Sequence, residues 1–78
     1  VRVYRAVHSD SMPADVAEHM ESGNIAAVVF FSAATARVYR RLIGNAGLEY
    51  HQSRITAICM SDEVKHALDG IAFKQRIV

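Results

Sequence analysis

A chain of 78 residues, 51% of them apolar and with a net charge of only +1, has the make-up of one small globular unit with a single core, not of a disordered tail. Near-neutral charge gives no electrostatic reason to expect nucleic acid or a membrane surface as partner, and the longest apolar run, Ile25 to Phe31, is far too short to cross a bilayer. The single cysteine, Cys59, excludes an internal disulfide brace and, with no secretory segment, points to a reducing, cytoplasmic setting.

In chain order, Val1 to Val7 is β-branched and loosely alternating, which predicts a strand. It begins already under way, without an initiator methionine, and reads as the start of a fragment. A first helix is expected from about Ser11, with Pro13 in its first turn, Val16, Ala17 and Met20 on one face, and Gly23 as its stop. Ile25 to Phe31 is continuously apolar, a second strand. Next comes a helix with Ala34, Val38, Tyr39, Leu42 and Ile43 on a broad stripe, ending around Gly44 or Gly47. Ile55 to Met60 predicts a third strand. Ser61 then caps a short helix with Val64, Ala67 and Leu68 facing inward and Gly70 at its end, and Phe73 to Val78 alternates as a fourth strand.

Strand and helix alternate throughout, and a strand apolar on both faces marks a parallel sheet covered by helices. The expected fold class is therefore α/β, three-layer, with a mostly parallel sheet. If the strands advance in one direction, right-handed crossovers place all the helices on one face. Phe30 and Phe31 point to opposite sides and both call for burial. Residues outside this chain, or a second copy, must then cover the other face, so a dimer through the uncovered sheet face is one expectation. A chain this short buries only about 60 to 65% of its unfolded surface and needs such bracing.

In a parallel α/β sheet, ligands bind beyond the carboxyl ends of the strands, where helix N-termini present unpaired N–H groups. Phe31-Ser32-Ala33-Ala34-Thr35 and Cys59-Met60-Ser61-Asp62 are two such strand-to-helix turns. Each serine is either a simple N-cap or part of an anion-binding rim. Other constellations carry less. Cys59 would need an arginine where Lys65 stands to form a phosphatase-type loop, and reads as a buried, inert thiol. His8, His19, His51 and His66 show no paired ligand spacing, so no metal is expected. Arg37, Arg40 and Arg41 form a basic helix face that is either solvated or able to receive a carboxylate. Asp15 with Glu18 and Asp62 with Glu63 fall in first helical turns, where the dipole accounts for them.

Val3-Tyr4-Arg5-Ala6, Pro13-Ala14-Asp15-Val16, Ile25 to Ser32, Ala46-Gly47-Leu48, and Ala57-Ile58-Cys59-Met60-Ser61 followed by Val64 and Ala67-Leu68 resemble, in order and spacing, the second domain of uroporphyrinogen-III synthase. The resemblance covers nearly the whole chain. It implies a flavodoxin-like domain within a two-domain synthase fold, with the substrate in the cleft between the domains. The implied activity is closure of linear hydroxymethylbilane, a polycarboxylate, into uroporphyrinogen III with inversion of the last pyrrole ring and loss of water, without cofactor or metal. It further implies that residues 1–78 are a partial domain whose first strand and helix, and partner domain, lie outside it, so that the segment alone is inactive. Carried over by position, Tyr4 is the tyrosine that assists departure of the hydroxyl group; Ser32 with Ala33, Ala34 and Thr35 forms the substrate-binding turn; and Ser61 occupies the hydroxyl position of the later turn. There the chain departs from the Gly-Pro-Thr-like turn of many relatives, and Asp62 sets a negative charge beside an anionic substrate. The rival reading is a non-catalytic flavodoxin-like binding or dimerising module.

Overall fold

The computed structural model describes residues 2–7 and 11–78; Val1 and His8, named above, lie outside the described residues. The elements run β1 Arg2–Arg5, α1 Ala14–Glu21, β2 Ile25–Phe30, α2 Ala33–Ala46, a 3-10 segment Glu49–Arg54, β3 Thr56–Cys59, α3 Asp62–Ala67 and β4 Gln75–Ile77. The four strands form one sheet in the order β1-β2-β3-β4, every neighbouring pair parallel. Strands therefore advance one place at a time, and the right-handed crossover rule has its predicted consequence. Val16 and Met20 of α1, Ala36, Tyr39 and Ile43 of α2 and Val64 of α3 share one buried cluster with Val28, Phe30, Ala57 and Cys59 of the sheet. This is an α/β fold consistent with flavodoxin-like architecture, and the described residues supply two of its three layers.

Alternation along the strands assigns the faces. Phe30 is fully buried in the helical layer, with ring centroids 4.9 Å from Tyr39 and 6.2 Å from Phe73, both edge-on. Such pairs each add about 0.5–1.5 kcal/mol beyond the area they bury. Facing the other way, Arg5, Val29, Ile58 and Ile77 make one row across all four strands. Among the described residues that face has no covering layer: Val3 is 60% exposed, Phe31 50% and Ile77 42%. Phe31 thus escapes the burial its sequence context called for, and lies under the Arg5 guanidinium, 4.6 Å from the ring centroid.

Boundaries move inward for identifiable reasons. Pro13 is extended (φ −56°, ψ 136°), so α1 begins at Ala14. The α2 stripe turns inward at Ala33 and Ala36, leaving Ala34 exposed. Gly44 lies within α2; Gly47, at φ 69°, ends it, with Leu48 N–H donating to the Ile43 carbonyl and Gly47 N–H to that of Gly44. This is the Schellman pattern, which requires a left-handed residue that only glycine adopts without strain.

One element is absent from the sequence reading. The 3-10 segment Glu49–Arg54 has no apolar period, yet Gln52 is fully buried within it. Tyr39 donates its hydroxyl proton to Gln52 Oε1, and Gln52 Nε2 donates to the Leu48 carbonyl at 3.1 Å. All the hydrogen-bonding groups of this buried knot are matched, which is the condition under which a polar core group is tolerated.

Candidate functional site

The carboxyl edge of the sheet is built by two serine turns. Ser32 and Ser61 are both extended N-caps: Ser32 Oγ accepts from Thr35 N–H at 3.1 Å and Ser61 Oγ accepts from Val64 N–H at 3.3 Å. Ser32 also donates to Thr35 Oγ1 at 2.9 Å. Each serine stands two residues beyond the paired residues Phe30 and Cys59, and Met60 N–H still donates to the Phe30 carbonyl. The two helix starts therefore follow neighbouring strands at the same edge of the sheet.

Helix geometry leaves the first N–H groups of α2, at Ala33 and Ala34, without intrahelical acceptors. Ala33 is buried, while Ser32 and Ala34 are exposed and Thr35 is half-buried. The first turn of α2 has no acidic residue, whereas that of α3 has Asp62 and Glu63. Of the two turns, only the Ser32 turn combines free donors with an acid-free surface, and it is the better seat for an anion.

Tyr4 lies apart from this rim. It is half-buried on the helical face of β1 and lines a shallow cleft of about 220 Å³ with Val3, Asp15, Val16, His19 and Ile25. Burial, and secondarily the Asp15 carboxylate, raise its phenol above the ordinary value. The phenol is therefore neutral and able to donate a hydrogen bond at physiological pH. Asp15 and His19, four residues apart on α1, were not predicted to join Tyr4; only the packing of α1 over the β1 edge unites them.

The remaining residues have structural work. Cys59 is buried, and burial pushes its thiol up, so it is held protonated. Arg40 donates to the Ala67 carbonyl at 3.4 Å, binding α2 to the end of α3, while Arg37 and Arg41 are exposed. Arg76 pairs with Asp69 and donates to the Lys65 carbonyl at 3.2 Å, which fastens β4 to α3 and holds the Asp69 carboxyl below its ordinary range. Among the described residues no group of three or more His, Cys, Asp and Glu could hold a metal ion, and no helix is long and apolar enough to cross a membrane.

Cap and anion seat make different predictions at Ser32. Ser32→Ala is expected to lower stability by about 1 kcal/mol, seen as a shift in urea midpoint at constant slope. Ser32→Asp restores the cap and so the stability, but its charge repels an anion from the rim. A site that binds an anion at the rim loses affinity in Ser32→Asp; a rim that is only a cap does not.

Comparison with known proteins adds one match: a family model described as uroporphyrinogen-III synthase HemD aligns with residues 1–78. No curated protein and no solved structure matches the chain.

Proposed function

The chain belongs to the uroporphyrinogen-III synthase family, and from that membership we propose that it is part of an enzyme closing hydroxymethylbilane to uroporphyrinogen III, with inversion of the last pyrrole ring and loss of water. The family match across the whole chain is the observation that carries this reading, and the arrangement of donors at the sheet edge supports it. A substrate with carboxylate arms suits a rim of backbone N–H groups, because such donors hold anions without long side chains. Ser32, Ala33, Ala34 and Thr35 form the first seat. Ser61 is a second, weakened by Asp62 and Glu63.

Tyr4 is assigned to the departing hydroxyl. As the carbon–oxygen bond breaks, the neutral phenol donates to the leaving oxygen and the group departs as water. Its counterpart in the reaction is the pyrrole π-system, which supplies the electrons that expel the hydroxyl. The domain assignment follows the same proposal: residues 1–78 are a partial α/β domain, and catalysis requires the central strand, first helix and facing domain of the two-domain fold. No cofactor is assigned, and the setting is cytoplasmic.

A longer protein that contains this segment, given hydroxymethylbilane, should release the ring-inverted macrocycle, whereas the 78-residue segment should not accelerate closure. Steady turnover by the isolated segment overturns the domain assignment. Failure of every longer form to yield the inverted isomer overturns the activity.

The exposed apolar face favours one second reading, a non-catalytic module that dimerises through its sheet. Light scattering distinguishes it: a doubled mass that reverts to monomer in Val29→Asp, with no turnover by any longer form, supports that reading.

A further inference from the structure

The proton that Tyr4 gives up in ring closure must be replaced in each turnover, and the cleft that Tyr4 lines has one group suited to supply it. Val16 and Met20 of α1 are buried, which fixes the rotation of the helix so that Asp15 and His19, the residue before each, line the cleft toward β1. Tyr4 and Ile25 close it from the sheet face that α1 covers, and Val3 borders it at the strand edge. The cleft therefore belongs to the helical layer and not to the uncovered face. Tyr4 and His19 are half-buried, and Asp15 is exposed. At about 220 Å³ there is room for several waters, each with a share of roughly 30 Å³ in the liquid, through which a proton can pass without direct contact between side chains.

A phenolate is disfavoured here by burial and then by the Asp15 carboxylate, so Tyr4 parts with its proton readily only as another arrives. The titratable groups lining the cleft are Tyr4, Asp15 and His19; Val3, Val16 and Ile25 carry none. Tyr39, which approaches Tyr4 from α2, donates its hydroxyl to Gln52 and is committed to the core. A carboxylate has no proton to give near neutral pH, whereas an imidazole exchanges one there. Among the described residues no hydrogen bond or ion pair engages the His19 imidazole. We propose that His19 is the proton reserve of this cleft: Tyr4 protonates the departing oxygen, and His19 returns a proton to Tyr4. The electron pair of the breaking carbon–oxygen bond leaves with the oxygen as water, and the pyrrole π-electrons form the new carbon–carbon bond. The carbon that forms it sheds its proton to solvent, from which the imidazole is recharged, so protons balance over the turnover. His19 acts through Tyr4 and not on the substrate. This role rests on the synthase reading above, and it goes beyond the helix dipole, for which His19 is only a basic residue in the last turn of α1.

The full-length protein is compared with His19→Gln, His19→Arg, Tyr4→Phe and the double variant Tyr4→Phe with His19→Gln. For each, kcat and KM for hydroxymethylbilane are measured from about pH 6 to about pH 8.5, the span in which imidazoles titrate. In the wild type kcat should fall as pH rises across this span, because the imidazole loses the proton it returns. His19→Gln and His19→Arg should both lower kcat about tenfold near neutral pH, leave KM within about twofold and abolish that decline. Arginine keeps the charge at the end of α1 but has no proton to exchange, so the two variants separate the relay from the dipole. Added imidazole should restore turnover in His19→Gln and not in Tyr4→Phe, and the double variant should be no slower than Tyr4→Phe. A wild-type kcat that is flat with pH, or a decline that persists in both histidine variants, overturns the relay and leaves the synthase reading intact; the first of these needs no variant to fold. If no form turns over hydroxymethylbilane, the synthase reading falls and the relay falls with it.

Discussion

Gln52→Ala is expected to destabilise the fold by about 3 kcal/mol, the sum of a cavity and of a buried phenol left without its oxygen acceptor. The Tyr39 hydroxyl loses its oxygen acceptor in the closed space between α1, α2 and the 3-10 segment, while the Leu48 carbonyl keeps the His51 N–H at 3.1 Å. In a domain this small the melting temperature should fall by roughly 15 °C, from a total stability that is itself only about 5 kcal/mol or so. Thermal and urea unfolding followed by circular dichroism would measure it. Tyr39→Phe alone should cost about 1–2 kcal/mol, and adding Gln52→Leu to it should cost less than the sum of the two single changes, because partners removed together leave less unpaired. A strictly additive cycle would mean the two side chains do not act as one unit.

The same knot sets an alkaline response. Burial raises the Tyr39 phenol well above its ordinary 10.0. The folded state therefore keeps a proton that the unfolded chain gives up near pH 10, so this contribution is complete below that pH and is lost as pH rises toward the folded value. Tyr39→Phe should flatten the decline in stability above pH 10. Part of the decline persists, since Tyr4 and Cys59 are shifted in the same direction.

Tyr4→Phe in the full-length enzyme is expected to lower kcat for ring closure by about a hundredfold, the usual scale for loss of a positioned proton donor. KM should change little, because the ring that lines the cleft remains. Ser32→Ala removes a cap and one hydroxyl but not the N–H groups of Ala33 and Ala34, so its effect on kcat should be much smaller. Comparing the two variants by single-turnover kinetics separates the roles. Equal and negligible losses would remove Tyr4 from catalysis, and the cleft it shares with Asp15 and His19 would then be a packing feature of the β1 edge.

Much of this was readable along the chain. VVFFSAAT shows a buried strand reaching the sheet edge and a serine starting a helix, because apolar runs, caps and glycine stops act through neighbours in sequence. The uncovered face was readable as well, since crossover handedness constrains any parallel sheet whose strands advance one way. Gln52 was not readable: EYHQSR has no periodic pattern, and only the arrival of Tyr39 from α2 supplies the partner that makes its burial tolerable. Nor was the fate of Phe31, which depends on Arg5 being its register neighbour's companion on β1, some two dozen residues earlier.

Local chemistry thus sufficed for the alternation of elements and for the caps at Ser32 and Ser61, and the order and spacing of short segments carried the resemblance to the family that the match then showed. The separation of Tyr4 from the serine rim, its union with Asp15 and His19, the buried knot at Gln52 and the stacking of Arg5 on Phe31 were decided only by folding. The physical reason is range: capping and backbone preference operate within a few residues, whereas desolvation and pairing depend on which distant strand or helix closes over a side chain.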